Sequence, residues 1–153
     1  MLPPRLHGFD YLGTYAYSLT LCTFSRLQRF RSAQVADMVA RIFLTTAMDF
    51  DFDVLAYCIM PDQAHLLARG LTPSAALRPF VTAIKQRSGY AFSRQTGDRL
   101  WQKGYFERTL RDDEDLLCIA RYIEANPVRA GLVVSIGVWP HVGGRLLSPS
   151  RPG

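Results

Sequence analysis

The stretch Phe52-Asp-Val-Leu-Ala-Tyr-Cys-Ile-Met-Pro-Asp-Gln-Ala-His-Leu-Leu-Ala68 decides the fold. Phe52–Met60 is apolar on both faces from Val54 onward, which is typical of a strand in the middle of a sheet. Pro61-Asp62 is a turn sequence, and residues 64–68 predict a second strand that returns beside the first. The sequence therefore predicts a β-hairpin at the centre of the protein.

Helices and further strands are predicted on both sides of this hairpin. In chain order they are a strand over residues 11–23, a helix from residue 33, the hairpin, a helix from residue 72 that Pro79 either kinks or begins, a strand over residues 104–110, and a helix over residues 112–125. The order β-α-β-β-α-β-α predicts an α+β fold in which helices pack on one face of an antiparallel sheet.

Length and composition indicate a globular protein with an anionic partner. The chain has 153 residues, of which 48% are hydrophobic and 20% charged, values typical of a single folded domain. We expect that domain over residues 1–142 and a disordered tail over residues 143–153, where Gly, Ser, Pro and Arg dominate. Eighteen basic and 13 acidic residues give a net charge of +5, and nucleic acid is the commonest partner of a basic protein.

Several classes of protein find no support in the sequence. The longest apolar run, residues 54–60, is too short to cross a bilayer, and the first residues lack a secretion signal, so a cytoplasmic protein without membrane contact is expected. Cys22, Cys58 and Cys118 are scattered, which argues against a disulfide framework or a zinc ribbon and predicts buried, reduced thiols. No glycine-rich phosphate-binding motif is present.

Gln63 and His65 are the first candidates for chemistry. Side chains at positions i and i+2 of a strand point the same way, so these two project from one face. A histidine nitrogen and an amide oxygen at that spacing can hold one divalent cation. The alternative is an isolated histidine beside a turn, hydrogen-bonded to backbone.

Tyr122 and Asn126 are the second pair of candidates. They are four residues apart and therefore share one face of a helix. A tyrosine hydroxyl can attack a phosphodiester when a metal polarises the phosphate, and an asparagine carbonyl one turn further can complete the metal's ligands. The alternative is a half-buried tyrosine and an asparagine that caps the helix before Pro127.

Three motifs together resemble those of a known family. They read Met60-Pro-Asp-Gln-Ala-His-Leu-Leu67, then Trp101-Gln-Lys-Gly-Tyr-Phe-Glu107 with Arg111, then Tyr122-Ile-Glu-Ala-Asn-Pro-Val-Arg-Ala-Gly-Leu132. In order and spacing they resemble the REP-associated tyrosine transposases of the single-tyrosine HUH superfamily, over residues 15–140. The third motif is specific to the family, whereas the first is degraded.

The resemblance implies a ferredoxin-like α+β domain that cuts single-stranded DNA, often beside a hairpin, through a covalent link between a tyrosine and a 5′ phosphate. By resemblance Tyr122 is the nucleophile, and His65 and Asn126 are ligands of Mg²⁺ or Mn²⁺. Gln63 stands where the family has its first histidine, which predicts weaker metal binding. Glu107 is a candidate for a further carboxylate at the site.

Basic side chains provide candidates for contact with DNA phosphates. A stripe on the second helix and a loop before the first contribute them, and the alternative is a solvated basic face. The candidates are Arg78, Lys85, Arg87 and Arg94 on the helix, and Arg26, Arg29 and Arg31 in the loop. Trp101 and Tyr105 are candidates for stacking on bases, with core packing as the alternative, favoured for Trp101.

Three functions stay open at this point. The first is a metal-dependent transposase acting on single-stranded or hairpin DNA, as a monomer or a homodimer. The second is a hairpin-binding protein that no longer cuts, which the substitution at Gln63 favours. The third is a protein-binding α+β domain, which rests on composition alone.

Overall fold

A computed structural model describes residues 9–147, which form a five-stranded antiparallel sheet with four helices. The strands are β1 (Ala16–Cys22), β2 (Phe52–Met60), β3 (Gln63–Gly70), β4 (Phe106–Thr109) and β5 (Val142–Gly143). The helices are α1 (Ala33–Asp49), α2 (Leu77–Thr96), α3 (Leu116–Glu124) and α4 (Asn126–Arg129). The sheet order is β4-β1-β3-β2-β5, and with the chain order β1-α1-β2-β3-α2-β4 this is the ferredoxin-like arrangement. The predicted α+β class is confirmed.

The predicted hairpin forms the middle of this sheet. β2 has the predicted bounds, and β3 begins at Gln63, directly after the turn at Pro61-Asp62. The two strands pair from Met60 opposite Gln63 to Phe52 opposite Gly70, with an irregularity between Val54 and Ala56. β3 lies between β2 and β1, and its residues 63–69 have partners on both sides.

One face of the sheet packs against α1 and α2. Alternate side chains of the strands, such as Leu19 and Leu66, meet Phe43 of α1 and Phe80 of α2 in one core. Both helices bury one side, because their apolar residues recur at helical spacing. The two long helices therefore lie on one face, as predicted.

The opposite face of the sheet packs against α3, which corrects the expectation that all helices share one face. Cys58 and Leu67 point away from the first core and meet Ala120 and Ile123 of α3. The physical reason is visible in β2, whose side chains are apolar on both faces and need cover on both. The helix that carries Tyr122 consequently covers the sheet face to which His65 belongs.

The beginnings of two helices differ from the predictions. α2 begins at Leu77, so Pro79 lies in its first turn, where the missing N–H costs nothing. α3 begins at Leu116 rather than at residue 112, because the Asp115 side chain accepts hydrogen bonds from the N–H groups of Leu117 and Cys118. The chain then makes one more helical turn, α4, at Asn126-Pro127.

Residues 143–147, predicted as part of a tail, belong to the packed domain. β5 pairs with β2 at Tyr57 and Cys58, and the Trp139 indole N–H donates to the Ile59 carbonyl at 2.9 Å. Arg145 donates to the Asp53 carboxylate at 2.6 Å. The predicted tail residues 148–153 lie outside the described residues.

The three cysteines do not behave alike. Cys22 and Cys58 are buried, as predicted, and burial raises the pKa of the Cys58 thiol to about 12. Cys118 is exposed on α3, so its predicted burial is wrong. Within residues 9–147, none of the helices has the length and apolar character needed to span a membrane.

Candidate active site

His65 is the third residue of β3, on the sheet face that packs against α3. Its Cα partners are Thr20 of β1 and Cys58 of β2, and its Nδ1 lies 3.2 Å from the Thr20 hydroxyl. Burial, and then the positive charge of Arg129, lower the pKa of the imidazole to about 4. His65 is therefore neutral at physiological pH and held in place by its neighbour strand.

Gln63 shares this face, as the alternation of a strand requires. Its side-chain oxygen accepts from the Arg26 guanidinium at 3.4 Å and faces the Cys22 thiol at 3.9 Å. Arg26 also forms an ion pair with Asp62 at 3.1 Å. Arg26, one of the residues predicted to contact DNA phosphates, thus contacts the Gln63 amide.

Tyr122 lies near the end of α3 with 64% of its surface exposed. The Arg129 guanidinium lies over its ring, 3.5 Å from the ring centroid, and donates to the Tyr122 carbonyl at 2.7 Å. The same guanidinium donates to the Asn126 side-chain oxygen. Arg129 therefore joins the two candidates of α3 and α4 in one contact.

Arg129 also connects this pair to the sheet. Its charge acts on the pKa of both His65 and Cys58, which are direct neighbours across β2 and β3. Tyr122 and Asn126 thus contact one guanidinium, whose charge also acts on His65. The roles predicted for these residues stay predictions, whereas the contacts of Arg129 with Tyr122 and Asn126 are features of the structure.

Glu107 does not belong to this cluster. Its Cα partner in β1 is Leu19, which points into the core with α1 and α2, whereas the partner of His65 is the next residue, Thr20. Adjacent residues of a strand point to opposite faces. Glu107 therefore lies on the far side of the sheet from His65, and the suggested carboxylate contribution is wrong.

The three predicted metal ligands carry no charge, and arginines contact two of them. Gln63, His65 and Asn126 are all neutral donors, whereas Mg²⁺ is usually bound through carboxylates. Two of the three side chains already accept hydrogen bonds from arginines. Among residues 9–147, no group of three or more His, Cys, Asp and Glu side chains is arranged to hold a metal. Binding of Mg²⁺ or Mn²⁺ stays a prediction from the resemblance.

The basic residues of α2 do not form one stripe. The Lys85 ammonium donates to the carbonyls of Gln102 and Gly104 at 2.9 and 2.6 Å, and burial lowers its pKa to about 8. Arg87 points instead toward α1 and pairs with Asp49 at 2.7 Å. Two residues along a helix correspond to about 200° of rotation, which explains the separation.

The other DNA candidates are spread over the surface and each has a partner within the protein. Arg78 lies over the Tyr11 ring, Arg94 over the Tyr90 ring, Arg29 pairs with Asp98, and Arg31 donates to Gln28. Contact of these residues with DNA stays a prediction.

Trp101 is a core residue, as favoured from the sequence. Only 5% of it is exposed, and its indole N–H donates to the Ser88 hydroxyl at 2.8 Å. Tyr105 is partly buried against the same core, whereas Tyr90 is exposed. Tyr90, Lys85 and Trp101 line an open groove of about 600 Å³ between α2 and the chain that follows it.

A family of known proteins matches most of the described chain. The sequence model of the family described as "Transposase IS200 like" matches residues 12–126. The chain belongs to the IS200-like transposase family. The family match includes both candidate pairs, Gln63 with His65 and Tyr122 with Asn126.

Individual relatives agree with this membership. A curated Haemophilus influenzae protein named "Putative REP-associated tyrosine transposase" is 30% identical over 112 residues, which are 63% of this chain and 61% of that protein. The chain thus matches less than two thirds of the length of that relative. A crystal structure of a "putative transposase" from Deinococcus radiodurans R1 is 27% identical, with a TM-score of 0.57 over 80% of this chain and 96% of that one.

A second solved structure shows the same fold more completely. It is a REP-associated tyrosine transposase bound to a REP hairpin, with a TM-score of 0.75 at 21% identity over 93% of this chain and 82% of that chain. The hairpin is the ligand of that protein. For this IS200-like chain, the likeness establishes the ferredoxin-like fold.

Arg129 is the one member of the cluster to which the sequence assigned no role. It stands in the third family motif, seven residues after Tyr122, which is about two helical turns. That spacing alone places a long side chain on the face of Tyr122. Because α3 ends at Glu124 and α4 begins at Asn126, only the structure shows that the guanidinium reaches back to the ring.

Proposed function

We propose that this protein cuts and rejoins single-stranded DNA, with Tyr122 as the nucleophile. The observation that carries the proposal is the exposed Tyr122 ring on the helix facing His65, in direct contact with a guanidinium. An accessible hydroxyl beside a fixed positive charge suits attack on an anionic phosphate. Membership in the IS200-like transposase family supports the same reaction.

The proposed reaction exchanges one phosphate ester for another. The Tyr122 phenolic oxygen forms a bond to phosphorus, the bond from phosphorus to the 3′ oxygen breaks, and the tyrosine proton ends on the leaving 3′-hydroxyl. The product is a 5′-phosphotyrosine link between protein and DNA. Attack by a 3′-hydroxyl of another strand rejoins DNA and returns a proton to Tyr122.

A hairpin-bearing single strand is the proposed substrate. The net charge of +5 favours a polyanion, and a solved structure with the same fold is bound to a REP hairpin. The sequence resemblance to REP-associated tyrosine transposases suggests the same class of DNA. We expect binding to weaken steeply as salt rises, since phosphate contacts release counterions.

The test is a covalent-adduct assay with the whole chain. Purified protein is mixed with a labelled hairpin-bearing single strand, with Mn²⁺ in one arm and EDTA in the other, and denatured before electrophoresis. We expect a protein–DNA band that disappears in Tyr122→Phe, since that variant lacks only the attacking oxygen. An adduct that persists in Tyr122→Phe would exclude Tyr122 as the nucleophile.

A hairpin-binding protein without nuclease activity is the second candidate. It is favoured by Gln63, a neutral amide held by Arg26 where the family places a histidine. The adduct assay, together with a binding assay of the same DNA under native conditions, separates the two candidates. DNA binding without any adduct, in the presence and absence of Mn²⁺, would support the binding protein and contradict the strand-transfer proposal.

A further inference from the structure

Arg129 is an exposed guanidinium whose contacts are all to neutral groups. It lies 3.5 Å from the Tyr122 ring centroid and donates to the Tyr122 carbonyl and to the Asn126 side-chain oxygen. The ion pairs within residues 9–147 involve other cations, and Arg129 has no carboxylate within 4.0 Å in this part of the chain. Its full positive charge is therefore available to an anion.

The surroundings of Arg129 also disfavour a second cation. The expected metal ligands are neutral, and the Asn126 oxygen already accepts from Arg129. Arg26 brings another guanidinium to Gln63, although Asp62 offsets its charge. A divalent ion at this place would lie near the guanidinium groups of Arg26 and Arg129, both of which act electrostatically on His65. The donor set and its neighbours suit a phosphate better.

The planar fork of a guanidinium matches the geometry of phosphate oxygens. Arginine can donate two parallel hydrogen bonds to a phosphate, and such charge-assisted bonds are about twice as strong as neutral ones. The present bonds from Arg129 go to an amide and a carbonyl. Exchange of these neutral acceptors for a phosphate is favourable, and it would leave the phosphate beside the Tyr122 hydroxyl.

We infer that Arg129 holds the DNA phosphate beside Tyr122, and that single-stranded DNA therefore binds at this site without a divalent cation. The inference rests on the proposed function, because it takes single-stranded DNA as the ligand. The inference identifies Arg129 as a residue that binds the DNA. The positive charge at the phosphate then comes from the Arg129 guanidinium and not from a metal ion. According to this inference, DNA binding needs no metal ion, whether or not DNA cutting needs one.

The test measures binding of a fluorescent hairpin-bearing single strand by anisotropy, in EDTA and in Mg²⁺, over a range of salt concentrations. Wild-type protein should bind equally well in both. Arg129→Gln should bind about tenfold more weakly in EDTA. Its slope of log K against log salt should be shallower by about 0.7, the value for one lost contact to a single-strand phosphate.

Two further variants show whether Arg129→Gln weakens binding through a lost phosphate contact, through the lower net charge of the protein, or through a change in structure. Arg41→Gln removes the same charge from the exposed side of α1, across the sheet, and should keep the wild-type slope. Arg129→Lys keeps the charge and should also keep the slope. A merely structural role, in which the planar group organises Tyr122 and Asn126, would weaken binding in both variants but leave both slopes at the wild-type value.

The inference and the proposed function fail in different ways. Wild-type binding that requires Mg²⁺, or an Arg129→Gln variant that binds like Arg41→Gln, overturns the role of Arg129 and leaves the Tyr122 adduct untouched. A wild-type protein that binds no single-stranded DNA even at low salt overturns both.

Discussion

At the scale of single residues, His65 makes stability depend on pH. Its pKa is about 4 in the folded protein against 6.5 for the ordinary side chain, so between these values the unfolded chain binds a proton that the folded protein does not. Lowering the pH from 7 to 5 should therefore favour unfolding, by about 2 kcal/mol from this residue. Urea denaturation of wild type and His65→Gln at both pH values measures the difference. An equal loss of stability in both proteins would contradict the prediction.

The sequence predicts which single residues share a face, and it is less informative about what each one contacts. Gln63 and His65 face the same side because a strand alternates, a rule that needs no tertiary information. The same rule places Glu107 on the sheet face opposite to His65, but it can be applied only when the pairing of β1 with β4 is known. The contact of Arg129 with Tyr122 depends on the turn between two helices, which local propensities do not specify.

At the scale of elements, Asp115 fixes the start of the helix that carries Tyr122. Its carboxylate accepts from two N–H groups at 3.0 and 3.3 Å, and removal of such a cap costs about 1 kcal/mol. Asp115→Ala should lower the free energy of unfolding by that amount. Asp113→Ala is the matched control, since Asp113 is exposed, pairs with Arg111, and does not cap the helix. Chemical denaturation of the two variants, followed by circular dichroism, should show a loss only in the first.

Elements with strong local signals are predicted with the correct bounds. β2 matches its prediction because a buried apolar run between polar residues has few alternatives. The start of α3 is missed by four residues because Asp112 to Asp115 all suit the first turn of a helix, and the cap is settled by Asp115 alone. The apolar residues on both faces of β2 predict that both faces of the sheet are covered. They do not predict that α3 is the helix that covers the second face.

At the scale of the whole molecule, Gly144 lets the C-terminal segment close on the sheet. Its φ is +114°, and an added Cβ would lie 2.5 Å from the Ala56 Cα. Gly144→Ala should therefore displace β5 and destabilise the protein. Gly137→Ala is the control, because Gly137 also has a positive φ, +96°, but within residues 9–147 no atom beyond its chain neighbours lies within 4 Å of its Cβ position.

The expected cost of Gly144→Ala exceeds that of Gly137→Ala by about 1 to 3 kcal/mol, the usual penalty for overpacking. Thermal or urea unfolding measured on both variants gives the difference. An equal loss of unfolding free energy in both variants would mean that the positive φ, rather than the close approach to β2, explains the glycine at position 144. The sequence offers little warning of this contact, since a stretch rich in glycine, serine and proline is also the usual composition of a loose tail.

The unequal burial of the three thiols has a practical consequence. Cys22 and Cys58 are enclosed, whereas Cys118 is exposed one helical turn before Tyr122. A maleimide dye added to the unmodified protein would thus attach at a single place, on the helix that carries the tyrosine. The natural sequence already supplies a site-specific fluorescent probe beside the candidate active site, with no cysteine to introduce or remove.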